Sequence, residues 1–399
     1  MSLPSFIRPF VKSEIRTVEM HTSGEPARIV YAGYPDIPGT LLEQRHEAQS
    51  KHDHIRRSLV YEPRGHQDMY SAVLRPRTEL VDSGEAHMGA LFLTHEGYGM
   101  MCGHATIALG RFLVDCTDET IFPRRKDLKF DEQTNEVQVR LHIPAGIVEM
   151  KVPAVRADGS WRTDTSRPVT FLSIPTFAIA TDLTFHIPEN LRWAEMNGRD
   201  SVTIDLGYGG AFYIIVAASA LGFSPSLAKP DFPALKNAAD KLKEAFNSNQ
   251  LLRTRLSLPD DKRLQSIYGV MVTDTDSEDD LPVAPGCKGA ETGLYFFSDQ
   301  IDRSPTGSVV QARVAVAVAK GERQLGESWT YHSLVSRAQG DYKSALVGKP
   351  VEKIDFGKME GIRVEVSGRA HYIGASTFVA EEEDDVGRGF SFQALGKEE

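Results

Sequence analysis

Two segments far apart in this chain carry the same pattern of small and apolar residues, and that weak internal repeat constrains the fold more than any other feature. Residues 99–108 read GMMCGHATIA and residues 302–312 read DRSPTGSVVQA. With Cys102 set against Thr306, Gly103 meets Gly307 and Ala108 meets Ala312, each pair 204 positions apart. Each segment passes from a turn-like stretch into an apolar run, 105–114 in the first and 309–319 in the second. Both predict the N-terminus of a buried helix. A duplicated helix start predicts two similar halves with a site between them.

Strand signals surround these helices. Val137, Val139, Leu141 and Ile143 alternate with polar residues, Pro144, Ala145 and Gly146 turn the chain, and Val148, Met150 and Val152 alternate again. This predicts a hairpin with one buried face. Ile362, Val364 and Val366 repeat the alternation before Ser367 and Gly368. One amphipathic surface helix is expected from near Pro233, with Leu235, Ala238, Ala239, Leu242, Ala245 and Phe246 on one face. Antiparallel strands with a few helices predict the α+β class.

A helix start can carry chemistry. Its unsatisfied N–H groups and dipole make an anion site that needs no arginine. Gly103 and Gly307 allow close backbone approach, and His104 and Ser308 add N–H donors, so two such starts suit an amino-acid carboxylate. The same field favours a thiolate at Cys102, a base for a Cα proton. Taken alone, a cysteine heading an apolar helix reads as packed and inert, but the glycine-histidine that follows and the matching glycine-serine half argue for chemistry. Asp302 accepts from a substrate ammonium or orients a neighbour, or else is a turn or N-cap aspartate. His104 tunes the thiolate or contacts substrate; otherwise it is a core histidine.

Other features read blandly. Cys116 and Cys287 have no such context and are expected to be structural. Three widely spaced cysteines make no disulfide framework, which fits a reducing cytosol. The acidic stretches 274–280 and 381–385, and His52 and His54, lack ordered ligand spacing, so no metal is expected. Gly207, Gly209 and Gly210 lack the spacing of a nucleotide loop. A net charge of −10 excludes an electrostatic footprint for nucleic acid or anionic membrane. The uncharged stretch 211–223 is short of the ~20 residues of a spanning helix. The opening MSLPSFIRPFVKSEIR holds no apolar run fit for a secretory leader, and the final GKEE matches no address signal.

MCGH (101–104), flanked by HEGYGM and ATIALGRF, resembles the first catalytic motif of the proline racemase superfamily, and DRSPTG (302–307) resembles its second, DRSPCG. HTSGEP (21–26), EPRGH-x-DMY (62–70), SIPTF (173–177) and DLGYGGAFY (205–213) extend the likeness along nearly the whole chain. The resemblance implies the diaminopimelate-epimerase-like fold, two pseudo-symmetric halves each a curved, mostly antiparallel sheet around a central helix, with the active site in the cleft. It places the first half at 1–174 plus 371–399 and the second at 175–370. It implies no cofactor, no metal and a homodimer. Cys102 matches the catalytic cysteine, Gly103, His104 and Asp302 match substrate-contacting positions, and Gly307 and Ser308 match backbone donors for the carboxylate, Ser308 in place of the usual threonine.

Thr306 departs from the pattern, standing where a racemase has its second thiol. A threonine hydroxyl lies far above the range in which acids and bases work near pH 7. One-base chemistry remains: Cys102 takes the Cα proton and a group leaves the adjacent carbon. The resemblance of threonine-bearing members implies dehydration of trans-3-hydroxy-L-proline to Δ1-pyrroline-2-carboxylate. Thr306 then either hydrogen-bonds the departing hydroxyl or shapes the pocket. The competing readings are proline racemisation or 4-hydroxyproline epimerisation, and an inactive amino-acid binder. A thiol protease or thioesterase fits less well, since it leaves the repeat unexplained.

Overall fold

The computed structural model describes residues 3–157, 159–223, 227, 229–256, 266–274, 280–297, 300–356 and 359–392. Residues 275–279 of the first acidic stretch and the final GKEE lie outside them. The chain forms two compact units, Met1–Phe171 with Arg369–Glu399, and Leu172–Gly368.

In the first unit, strand Ser13–Thr22 runs antiparallel to both Glu25–Ala32 and Ala370–Ala380. Arg28–Val30 pair in parallel with Ser71–Val73, and that strand pairs antiparallel with Met88–Thr94. Met88 and Gly89 then join in parallel to Leu141 and His142 of the hairpin Glu136–Ile143 and Gly146–Ala157. Within the hairpin Val137 faces Val152, Val139 faces Met150 and Leu141 faces Val148, all buried, while Gln138, Glu149 and Lys151 face water. The period of two places one face inside, as the alternation predicts.

Helix Gly103–Asp115 packs against Ser13–Thr22 and Ala370–Ala380 at one end of this sheet and against Gly146–Ala157 at the other, so the sheet curves around it. Eleven of its thirteen residues are buried. A helix apolar on all sides is stable only inside such a wrap. A Cβ on Gly110 would meet Val169, Met150 and Val152 at 3.0 to 3.3 Å, so glycine brings the helix close to the sheet.

In the second unit, Ser201–Tyr208 lies antiparallel to Phe177–His186 and to Phe212–Ala217. Phe212–Ala217 is parallel to Ile267–Asp274, which is antiparallel to Ala290–Phe297. Ala290–Thr292 are parallel to Thr330–His332, and the strands Leu346–Phe356 and Met359–Gly368 follow antiparallel. The succession of parallel and antiparallel joints from Ser201 onward repeats that of the first unit from Ser13 onward, and Gly307–Ala319 is its buried central helix. The repeat seen in the sequence is therefore a repeat of folded units, with the α+β architecture expected.

The second central helix contains five valines, four of them buried. Valine costs up to ~0.7 kcal/mol relative to alanine in a helix, whereas full burial of its side chain stabilises by roughly 1.5–3 kcal/mol. Packing decides the helix, not propensity. Arg313 on this helix and Arg323 both bind Glu291, at 3.1 and 2.6 Å. Burial alone would raise the Glu291 carboxyl, but Arg313 and Arg323 hold it below the usual range.

Phe232–Ser248 is the expected amphipathic helix, capped by Asp231 and burying the six predicted residues. Leu41–Lys51 and Asp53–Val60 are helices that the charged local sequence concealed; Thr40 and Glu43 form a capping box for the first. Residues 381–385 form an exposed turn. Among the described residues no helix is long and apolar enough to cross a membrane.

Candidate active site

Strand Gly97–Gly99 folds back on Met88–Thr94 and delivers the chain to Cys102, which is the N-cap of the first central helix with extended backbone. The N–H and the hydroxyl of Thr106 both donate to the Cys102 carbonyl, at 2.9 and 2.8 Å, fixing the residue at the helix head. Cys102 is 7% exposed. In an α-helix the first N–H groups have no intrahelical acceptor, so Gly103 and His104 offer theirs outward at the residue that carries the thiol.

The His104 ring lies directly on that thiol. Its Nδ1 is 3.5 Å and its Nε2 3.6 Å from Sγ. Nε2 is also 3.2 Å from the Pro26 carbonyl oxygen. A carbonyl only accepts, so Nε2 carries the hydrogen and Nδ1 meets the sulfur with a lone pair. Burial depresses the imidazole to about 3, against a smaller opposing effect from the Pro26 carbonyl. His104 is therefore neutral near pH 7 and brings no positive charge to Cys102. Tyr70 meets the ring in a T-shaped contact with centroids 4.7 Å apart. The turn Ser23–Gly24, both residues at positive φ, brings Thr22 onto the helix head, where its hydroxyl donates to the His104 carbonyl at 2.9 Å. The other two cysteines are only partly buried, and burial pushes both thiols up, so they stay protonated.

In the second unit, Thr306 is the N-cap of the second central helix. Asp302 is not; its N–H donates to the Tyr295 carbonyl at 3.0 Å, and its carboxylate Oδ2 accepts the Thr306 hydroxyl. The Thr306 N–H donates to Ser304 Oγ at 3.2 Å. Thr306 has φ 49° and ψ 94°, where Cys102 has φ −147° and ψ 107°. A β-branched residue at positive φ is an outlier costing roughly 1–3 kcal/mol, and it persists because its surroundings dictate it. The two side chains that fold back from Asp302 and Ser304 supply that constraint.

Ser308 is buried, and its hydroxyl pairs with Tyr213 at 2.9 Å, which leaves its N–H as the group offered at the helix head. Gly209 lies beneath this turn: a Cβ there would stand 2.1 Å from the Ser308 carbonyl oxygen, and one on Gly207 3.0 Å from Ala312. Both glycines allow close packing against the second central helix.

Each unit thus gathers its own predicted residues at one helix start: Cys102, Gly103 and His104 in the first, Asp302, Thr306, Gly307 and Ser308 in the second. Roles for Pro26, Tyr70, Thr106, Tyr213 and Ser304 did not follow from the residues alone. Thr106 had a signal, since a threonine four residues after a helix head commonly bonds back to its carbonyl. A cavity of about 760 Å³ in the first unit, lined in part by Lys12, His54, Arg64 and Arg388, includes none of the predicted site residues. Among the described residues no three His, Cys, Asp or Glu side chains cluster as metal ligands.

A family model described as proline racemase matches residues 17–391. The chain is 39% identical over 380 residues to the trans-L-3-hydroxyproline dehydratase of Bos taurus, covering 94% of each. It is 39% identical over 378 residues to the trans-3-hydroxy-L-proline dehydratase of Homo sapiens, again 94% of each. To that of Colwellia psychrerythraea it is 30% identical over 377 residues, 94% of this chain and 92% of the relative. Among solved structures, a hydroxyproline epimerase from Agrobacterium vitis with bound trans-4-hydroxy-L-proline superposes with a TM-score of 0.73 at 22% identity, covering 96% of each chain. At that identity the likeness concerns the fold.

Proposed function

Because the chain belongs to the proline racemase family, we infer that it is a hydro-lyase that converts trans-3-hydroxy-L-proline to Δ1-pyrroline-2-carboxylate and water. The dehydratases it matches over nearly their whole length carry this reading. Thr306 at the head of the second central helix, where a racemase has a thiol, agrees with it.

In this reading Cys102 is the sole base. The helix start favours its thiolate, and the His104 imidazole against the sulfur is neutral and adds no charge there. The thiolate removes the Cα proton, the 3-hydroxyl departs, and the enamine tautomerises to the imine. The N–H groups of Gly103 and His104 at one helix start, and those of Gly307 and Ser308 at the other, are each suited to a carboxylate, as helix starts hold anions. Asp302 contacts the substrate ring while its Oδ2 holds Thr306, and Thr306 addresses the 3-hydroxyl. The reading includes a cofactor-free homodimer in the cytosol, and the three free thiols suit a reducing compartment.

The test is incubation with trans-3-hydroxy-L-proline. The cyclic imine gives a colour with o-aminobenzaldehyde. An enzyme that only inverted the Cα centre of proline or 4-hydroxyproline, without imine, would overturn the reading.

A further inference from the structure

The second unit holds a hydrogen-bonded pair whose direction matters for the leaving group. The Thr306 hydroxyl gives its hydrogen to Asp302. So arranged, it meets a substrate with lone pairs only, and it cannot protonate a departing hydroxide. A hydroxide is a poor leaving group, and general acid assistance is what such a step requires. The Asp302 carboxyl, 6% exposed and four residues away on the same turn, is the acid within reach. Its backbone is tied to Tyr295, and Thr306 is held at an unfavourable φ by Asp302 and Ser304 together, so this geometry is imposed by the fold.

We propose that Asp302 and Thr306 form a proton relay to the substrate 3-hydroxyl. The proposal rests on the dehydratase reading. In the reactive form Asp302 carries a proton and donates it to Thr306 Oγ1, which turns the threonine hydrogen toward the substrate. The C2–H bond breaks to the Cys102 thiolate, and its electron pair forms the C2–C3 double bond. The C3–O bond breaks with its pair on oxygen. That oxygen takes the Thr306 hydrogen as Thr306 takes the Asp302 proton. The products are water, enamine, Cys102 thiol and Asp302 carboxylate. A proton returns from thiol to carboxylate through solvent and resets the site. Thr306 is never a free alkoxide, so its high intrinsic pKa is no obstacle.

The relay serves C–O cleavage and not C–H cleavage, which separates it from a merely structural role. In deuterated water, the ratio of imine formation to Cα deuterium incorporation with trans-3-hydroxy-L-proline is expected to fall about tenfold or more in Asp302→Asn and in Thr306→Val relative to wild type, a ratio that weaker substrate binding leaves unmoved. Thr306→Ser, which keeps the hydroxyl, is expected to retain dehydration. With trans-3-fluoro-L-proline, whose fluoride leaves without full protonation, Asp302→Asn is expected to lose at least about tenfold less fluoride release than it loses dehydration of the hydroxy substrate. If Asp302→Asn lost exchange and dehydration in equal measure, or if Thr306→Val still dehydrated, the relay would be overturned while the function stood. A wild-type enzyme that made no imine would overturn the function itself.

Discussion

His104 sits between two partners that fix its protonation: Nδ1 lies 3.5 Å from the Cys102 sulfur, and Nε2 lies 3.2 Å from the Pro26 carbonyl. The first contact is between residues two apart, the second between residues 78 apart, so the fold selects the tautomer that the sequence left open.

That arrangement predicts how stability depends on pH. Burial lowers His104 to about 3, and lowers His87 to about 4 with help from Arg140 and Arg124. Both are neutral in the fold and ordinary histidines when unfolded. Between roughly pH 6.5 and 3 the unfolded chain binds more protons, so stability is complete above pH 6.5 and is lost as the pH falls. Each contributes a slope of up to ~1.4 kcal/mol per pH unit in that window. Thermal melts between pH 7 and 4 are expected to show falling Tm, with a shallower fall in His104→Gln. An equal slope in wild type and variant contradicts the neutral, buried assignment.

Cys102 as sole base predicts that Cys102→Ser loses imine formation by roughly 100- to 10,000-fold, the usual contribution of a positioned base. Thermal stabilisation by L-proline is expected to persist, since the helix N–H groups remain. Retained turnover would move the base elsewhere.

In the proposed reaction, Thr306 is the position that separates elimination from inversion. Thr306→Cys restores a second thiol at a helix start and is expected to give D-proline from L-proline, read by chiral chromatography, where wild type gives none. The substitution also keeps the residue at φ 49°, so low yield with normal melting would point to backbone geometry as the limit.

Gly209 lies under the Thr306 helix with no room for a side chain. Gly209→Ala forces the Ser308 turn to shift and is expected to cost ~1–3 kcal/mol in urea denaturation, as overpacking does. Because the displaced turn carries Gly307 and Ser308, KM for the amino acid is expected to rise as well. A variant as stable as wild type would contradict the packing.

Much of the molecule was legible in the residues because local patterns encode local structure. A period of two in 137–152 predicts the hairpin, and helical spacing from Pro233 predicts its amphipathic helix. Small residues following Cys102 and Thr306 predict two buried helix heads, and both residues are N-caps. The helices at 41–60 escaped because their apolar face is narrow and interrupted by charge.

What the sequence by itself determined, then, is which segments become strands and central helices and which residues stand at the helix heads. Tertiary structure alone decided that the neutral ring of His104 rests on Cys102, that the Ser308 hydroxyl is spent on Tyr213, and that Gly209 serves packing. It also decided that Thr306 gives its hydrogen to Asp302 from a backbone conformation no propensity would choose. The physical reason is the range of the forces. Periodicity and capping act over a few residues, whereas burial, hydrogen-bond direction and the room beside a glycine depend on sheet register that joins residues tens to hundreds of positions apart.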